Sequence, residues 1–163
     1  MDSKDYINIL YPVPWVSKML HLSISGAMDQ NKGKYGLKNE LIYFVLPLIT
    51  HDDVRNELAF HTNVTSSIFT IFEKKMSANQ DYSIDLSQRV NAFSNITNIG
   101  LVYLGNYQQL EFKNYISVKF SKKYLKKTDE YDVEYQKAAY YLGWLFAKED
   151  YKSIFLKLGV IPQ

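Results

Sequence analysis

The densest polar cluster in the chain is His51-Asp52-Asp53. A histidine beside two carboxylates is what acid–base chemistry or a metal site would need. The other histidines, His21 and His61, stand thirty and ten residues away. No H-x-x-x-H or H-E-x-x-H spacing therefore sets two imidazoles on one helix face, and a zinc site has little support. Paired acids also suit a helix start, where they complement unbonded N–H groups and the positive end of the dipole, and the cluster reads first that way. Cysteine is absent, which excludes thiol catalysis, cysteine zinc sites and a disulfide framework. Gly26, Gly33 and Gly36 surround Lys32 and Lys34 without forming a phosphate loop, and Ser23-Ile24-Ser25-Gly26 is not a nucleophile elbow. The local patterns point to no enzyme, no cofactor and no metal.

Two other features carry chemistry of a binding kind. Five lysines, Lys119, Lys122, Lys123, Lys126 and Lys127, fall in nine residues and are interleaved with Phe120 and Tyr124. Such a run can lie along a phosphate backbone, where lysines displace condensed counterions. It also fits a solvated loop balanced by Asp129, Glu130, Asp132 and Glu134, and the nearby acids favour that second reading. Toward the C-terminus Tyr131, Tyr135, Tyr140, Tyr141 and Tyr151 gather with Trp144 and Phe146. Aromatics with a polar tip suit protein interfaces as well as core edges.

The elements that must position these residues follow from composition and periodicity. The chain has 163 residues, 47% hydrophobic, with 14 tyrosines, 9 phenylalanines and a formal charge of +2. It is long enough for a proper core, too apolar for disorder and too evenly charged to name a partner. The start, Met1-Asp2-Ser3-Lys4-Asp5, lacks the order of a signal peptide, and the longest apolar run, Leu41–Ile49, is nine residues. A spanning helix needs about 20. The expectation is a soluble cytoplasmic protein.

Pro12 and Pro14 open a helix whose stripe is Val13, Val16, Leu20, Ile24 and Ala27, fading between Asp29 and Gly36. The apolar run that follows contains Pro47, which would remove a ladder donor from a strand. A buried helix kinked or ended near Pro47 is predicted, with a short helix from His51 to Phe60. A further helix is capped by Thr65 or Ser66, and Ser77–Tyr82 breaks it. Leu86, Val90, Phe93, Thr97, Leu101 and Leu104 mark the cleanest long helix, closed by Gly105-Asn106, where positive φ is tolerated. Alternation at Leu110–Phe112 and Ile116–Phe120 predicts a β-hairpin turning at Lys113-Asn114. After the loop Ser121–Tyr131, Asp132 caps the first of two final helices, which is apolar all round. The expected fold is one mainly α domain over residues 1–163 with one β-hairpin, an α+β arrangement resembling a winged helix-turn-helix.

Three segments together resemble the middle components of bacterial three-component ABC systems. The first is Gly36-Leu37, Tyr43-Phe44-Val45-Leu46-Pro47-Leu48, then His51 with Arg55. The second is Gly100-Leu101 through Leu104 and Leu110-Glu111. The third is Lys137-Ala138-Ala139, Leu142-Gly143, Phe146-Ala147, Ile154, Leu158-Gly159-Val160 and Pro162, in family order and spacing. The resemblance spans Leu20 to the C-terminus. It departs at Leu145, where tryptophan is common, at Ile161, where arginine is common, and at Lys38-Asn39, which replace an apolar, proline-containing stretch. Gly143 inside a helix costs about 1 kcal/mol against alanine, so close packing by another element is expected there. Gly159 is expected to end the last helix.

The resemblance implies a non-enzymatic adaptor between an SMC-like ABC ATPase and an effector, often a nuclease, as in Lamassu-type phage and plasmid defence. The effector would stay inactive until foreign DNA is sensed, with DNA reached through the complex. Candidate partner contacts are Pro47, His51, Arg55, Tyr140, Tyr141, Trp144 and Leu145. The alternative is a stand-alone winged-helix DNA-binding regulator using Lys119, Lys122, Lys123, Lys126 and Lys127.

Overall fold

The computed structural model describes residues 3–76, 81–122 and 130–160. Eight α-helices occur among them: α1 (Ser3–Leu10), α2 (Val13–Gln30), α3 (Val45–Ile49), α4 (Asp52–His61), α5 (Ile68–Met76), α6 (Asp81–Gly105), α7 (Glu130–Phe146) and α8 (Tyr151–Leu158). Three short strands, β1 (Leu37–Lys38), β2 (Leu110–Phe112) and β3 (Tyr115–Val118), form an antiparallel sheet in the order β1-β3-β2. The chain is thus mainly α with a small sheet, as its periodicities require.

At the centre lies α2. Pro14 sits in its first turn, where a missing N–H costs no helical bond. Val16, Ser17 and Met19 through Ala27 are all buried, so the helix is covered on every side rather than along one stripe. Its serines make this possible. Ser25 Oγ donates to the His21 carbonyl at 2.7 Å, and Ser17 Oγ pairs with Tyr107 Oη at 2.6 Å, so these two hydroxyls enter the core already bonded.

The contact of α2 with α7 is backbone on backbone. A Cβ on Gly143 would lie 1.8 Å from the Ser23 carbonyl oxygen, and one on Gly26 would lie 2.0 Å from that of Tyr140. α6 also packs closely on α2, but against side chains: a Cβ on Gly100 would come within 2.5 Å of Val16 Cγ1. On its other side α7 packs against α4.

The apolar run is helical, as predicted, but divided. A 3-10 helix covers Asn39–Phe44, and Pro47 falls inside the short α3 that follows, in its first turn. Asp52 and Asp53 occupy the first turn of α4 with His51 as N-cap, the helix start that their charges favour. At the far end of the chain Gly159 adopts φ 67°, and Val160 N–H reaches the Phe155 carbonyl at 3.2 Å, closing α8 as expected. The end of α6 differs from expectation: Gly105 and Asn106 terminate it without positive φ.

The hairpin has the predicted place, with Phe112 opposite Ile116 and Leu110 opposite Val118. The third strand was not legible, being only Leu37 and Lys38, which pair with Ile116 and Tyr115. Gly36 lets it approach, since a Cβ there would meet the Ile116 carbonyl oxygen at 1.8 Å. Four α-helices and the 3-10 helix separate β1 from β2, where a helix-turn-helix unit has two helices. α7 begins at Glu130, ahead of Asp132, so Asp132 is not its cap. Parts of the expected Ser77–Tyr82 break and Ser121–Tyr131 loop lie outside the described residues. Among the described residues no helix is long and apolar enough to cross a membrane.

The backbone contact at Gly143 makes a prediction. Gly143→Ala should cost about 3 kcal/mol or more, because the obstacle is main chain and cannot rotate away. Thermal unfolding should fall by roughly 6–12 °C, while Gly33→Ala, with no atom within 4 Å of its added Cβ, pays only for its positive φ.

Candidate interaction surface

The predicted partner residues separate into core and rim. Pro47 and Leu145, two of the candidate partner contacts, are buried within the isolated chain, Leu145 completely. Arg55 is half-buried and committed within the fold. Its Nε donates to Glu134 at 3.0 Å and its Nη2 to Asp52 at 2.7 Å, while the guanidinium lies 4.2 Å from the Tyr135 ring centroid. Burial works against its charge, but Asp52 and Glu134 outweigh that and raise its pKa above the ordinary value. Arg55 therefore fixes α4 to α7. His51 is half-buried at the start of α4.

Tyr140, Tyr141 and Trp144 lie half-buried along α7. Tyr140 Oη donates to Asp29 at the end of α2, and its ring meets that of Tyr141 edge-on at 5.6 Å. Lys148 Nζ rests 4.5 Å from the Trp144 ring centroid and donates to the carbonyls of Val64 and Ser66. The α4–α5 loop is thereby held beside Trp144. Larger exposed apolar groups stand elsewhere, Tyr6, Ile9 and Leu10 on α1 and Ile99, Val102 and Tyr103 on α6.

Of the candidate DNA-binding lysines, Lys123, Lys126 and Lys127 lie outside the described residues. Lys119 is exposed, with its ammonium 5.5 Å from the Phe120 ring centroid. Lys122 is half-buried, and its backbone N–H donates to Ser25 Oγ at 2.8 Å. Burial, reinforced by nearby Lys18, lowers the Lys122 pKa despite Asp132. The chain leaving the hairpin is bonded to α2 a second time, where His21 Nε2 lies 2.9 Å from the Phe120 carbonyl oxygen.

This junction gathers residues that sequence reasoning had left apart. Asp132 accepts from Trp15 Nε1 at 3.0 Å, from Gln136 Nε2 at 2.8 Å and from Lys18. Burial alone would raise its pKa, but the bonds from Lys18, Gln136 and Trp15 prevail and lower it. A carboxylate paired with a distant helix leaves no local signal, since Lys18 and Asp132 are 114 residues apart. Among the described residues no three histidine or acidic side chains gather as metal ligands would.

A family model described as ABC-three component (ABC-3C) system Middle Component 3 matches residues 10–162. The chain belongs to that family. Its shape-setting positions, Gly36, Pro47, Gly100, Gly143 and Gly159, all lie within the matched span, whereas α1 stands almost wholly ahead of it. No curated protein and no solved structure shows significant similarity to the chain. As a middle component, the chain is consistent with an accessory subunit.

The junction is pH-sensitive in a stated direction. Burial holds the His21 imidazole below its ordinary pKa of 6.5, against the Phe120 carbonyl and with help from Lys122. The unfolded chain then takes up a proton near pH 6.5 that the native chain refuses, so stability is full above that pH and falls below it. Denaturant titrations should lose up to about 1.4 kcal/mol per pH unit from this group, and His21→Asn should flatten that slope. The Asp132 contribution behaves separately, being complete above 3.8 and lost only as pH falls through its lower folded value.

Proposed function

We propose that this chain is a non-enzymatic adaptor of a bacterial anti-phage or anti-plasmid complex. It bridges an SMC-like ABC ATPase and an effector, often a nuclease, and helps keep the effector inactive until foreign DNA is sensed. The observation that carries this reading is the Middle Component 3 match over nearly the whole chain. The use of its motif residues supports it. Gly36, Gly100 and Gly143 allow close packing, Gly159 ends a helix, and Arg55 joins two helices. Residues that set shape serve assembly, not turnover.

The mechanism is differential binding: the effector must bind the resting ATPase state more tightly than the DNA-engaged one. Moving such an equilibrium from 1:99 to 99:1 takes about 5.5 kcal/mol of differential affinity. Half-buried aromatics such as Tyr141 and Trp144 are the side-chain type on which interface energy concentrates.

Co-expression of the three gene products should return one complex containing this chain. Tyr141→Ala with Trp144→Ala should weaken its retention about tenfold or more while leaving the isolated chain folded by circular dichroism. A monodisperse monomer without affinity for the ATPase would overturn the proposal. So would tight binding of short duplex DNA by the chain alone, with a salt slope reduced by Lys119→Ala and Lys122→Ala, which is the behaviour of a stand-alone regulator.

A further inference from the structure

A cavity of about 120 Å³ opens where β1, β3, the loop after α2 and the α7–α8 turn meet. Four waters of liquid occupy a similar volume, at about 30 Å³ each, so the space suits one side-chain head group. Tyr35, Tyr115 and Tyr151 line it, together with Glu149 and Asp150. Tyr35 is 54% exposed, and its ring centroid lies 5.1 Å from that of Tyr115.

The electrostatics favour a cation. The last turn of α7 reaches the cavity at Phe146, and the C-terminal carbonyls of a helix carry partial negative charge. α8 begins there too, but the Asp150 carboxylate accepts from Ser153 N–H at 3.3 Å and so covers its positive end. Among the described lining residues the one cation is Lys38, whose ammonium rests 4.8 Å from the Tyr115 centroid and 4.9 Å from that of Tyr151. Two carboxylates and one ammonium therefore line the cavity, and two of its rings already hold a positive charge.

We propose that this cavity receives an arginine side chain from a partner protein. A guanidinium is planar, stacks on aromatic faces and carries five donors in a fixed fork, matching tyrosine rings flanked by carboxylates. A carboxylate entering instead would meet Glu149, Asp150 and the negative end of α7. Lys38 is the resident competitor, and its departure would enlarge and strengthen the site. The adaptor reading enters only in that it supplies a partner to carry the arginine.

The test titrates the isolated chain with Nα-acetyl-arginine amide and follows the ring resonances of Tyr35, Tyr115 and Tyr151. The citrulline and glutamate analogues are the controls. Saturable shifts are expected with arginine alone. Glu149→Gln should weaken binding about two- to fivefold, and Lys38→Met should strengthen it by a similar factor. No saturable shift at these rings overturns the proposal. Preference for the glutamate probe, abolished by Lys38→Met, also overturns it by making the cavity an anion site. A null titration leaves the adaptor reading standing, since co-purification decides that separately.

Discussion

The fold depends on how closely α2 and α7 approach. Each presents a glycine to the other's main chain, Gly26 beneath the Tyr140 carbonyl and Gly143 beneath that of Ser23. Each glycine sacrifices about 1 kcal/mol of helix propensity, and the return is contact between two backbones with no side chain between them. Everything else is arranged around that pair. α6 closes on α2 through Gly100, α4 covers the opposite side of α7, and the sheet lies against α2 through β3. A helix surrounded in this way has little room for polar groups, which is why the α2 serines are small and two of them are bonded.

Features with a local cause were legible in the sequence. Pro14, the acids at 52 and 53, the alternation around Lys113-Asn114 and Gly159 each act within a few residues, and each element formed where its residues demand. Gly143 was legible as a contact without a partner, since periodicity cannot say which helix comes close. Features with a distant cause were hidden. β1 is two residues long and exists because Ile116 and Tyr115 stand ready to pair with it. α1 buries Ile7 alone among its described apolar side chains, too little to leave a stripe. Asp132 looked like a helix cap because its sequence neighbours suit one, yet two of its three donors, Trp15 and Lys18, lie on another helix.

Groups that look available in the sequence are largely occupied. Arg55 joins α4 to α7, and Lys148 ties the α4–α5 loop to the end of α7. Lys18 meets Asp132, and Lys38 sits on two rings. Charge here is used mainly to fasten helices and loops whose apolar faces are already matched. Pro47 and Leu145 extend the same theme, since both are buried inside the fold.

The attachment of the segment after β3 has a mechanical consequence. Phe120 and Lys122 are held by His21 and Ser25, residues of the most deeply enclosed helix, rather than by anything peripheral. A displacement of Phe120 or Lys122 is therefore felt at the heart of the molecule.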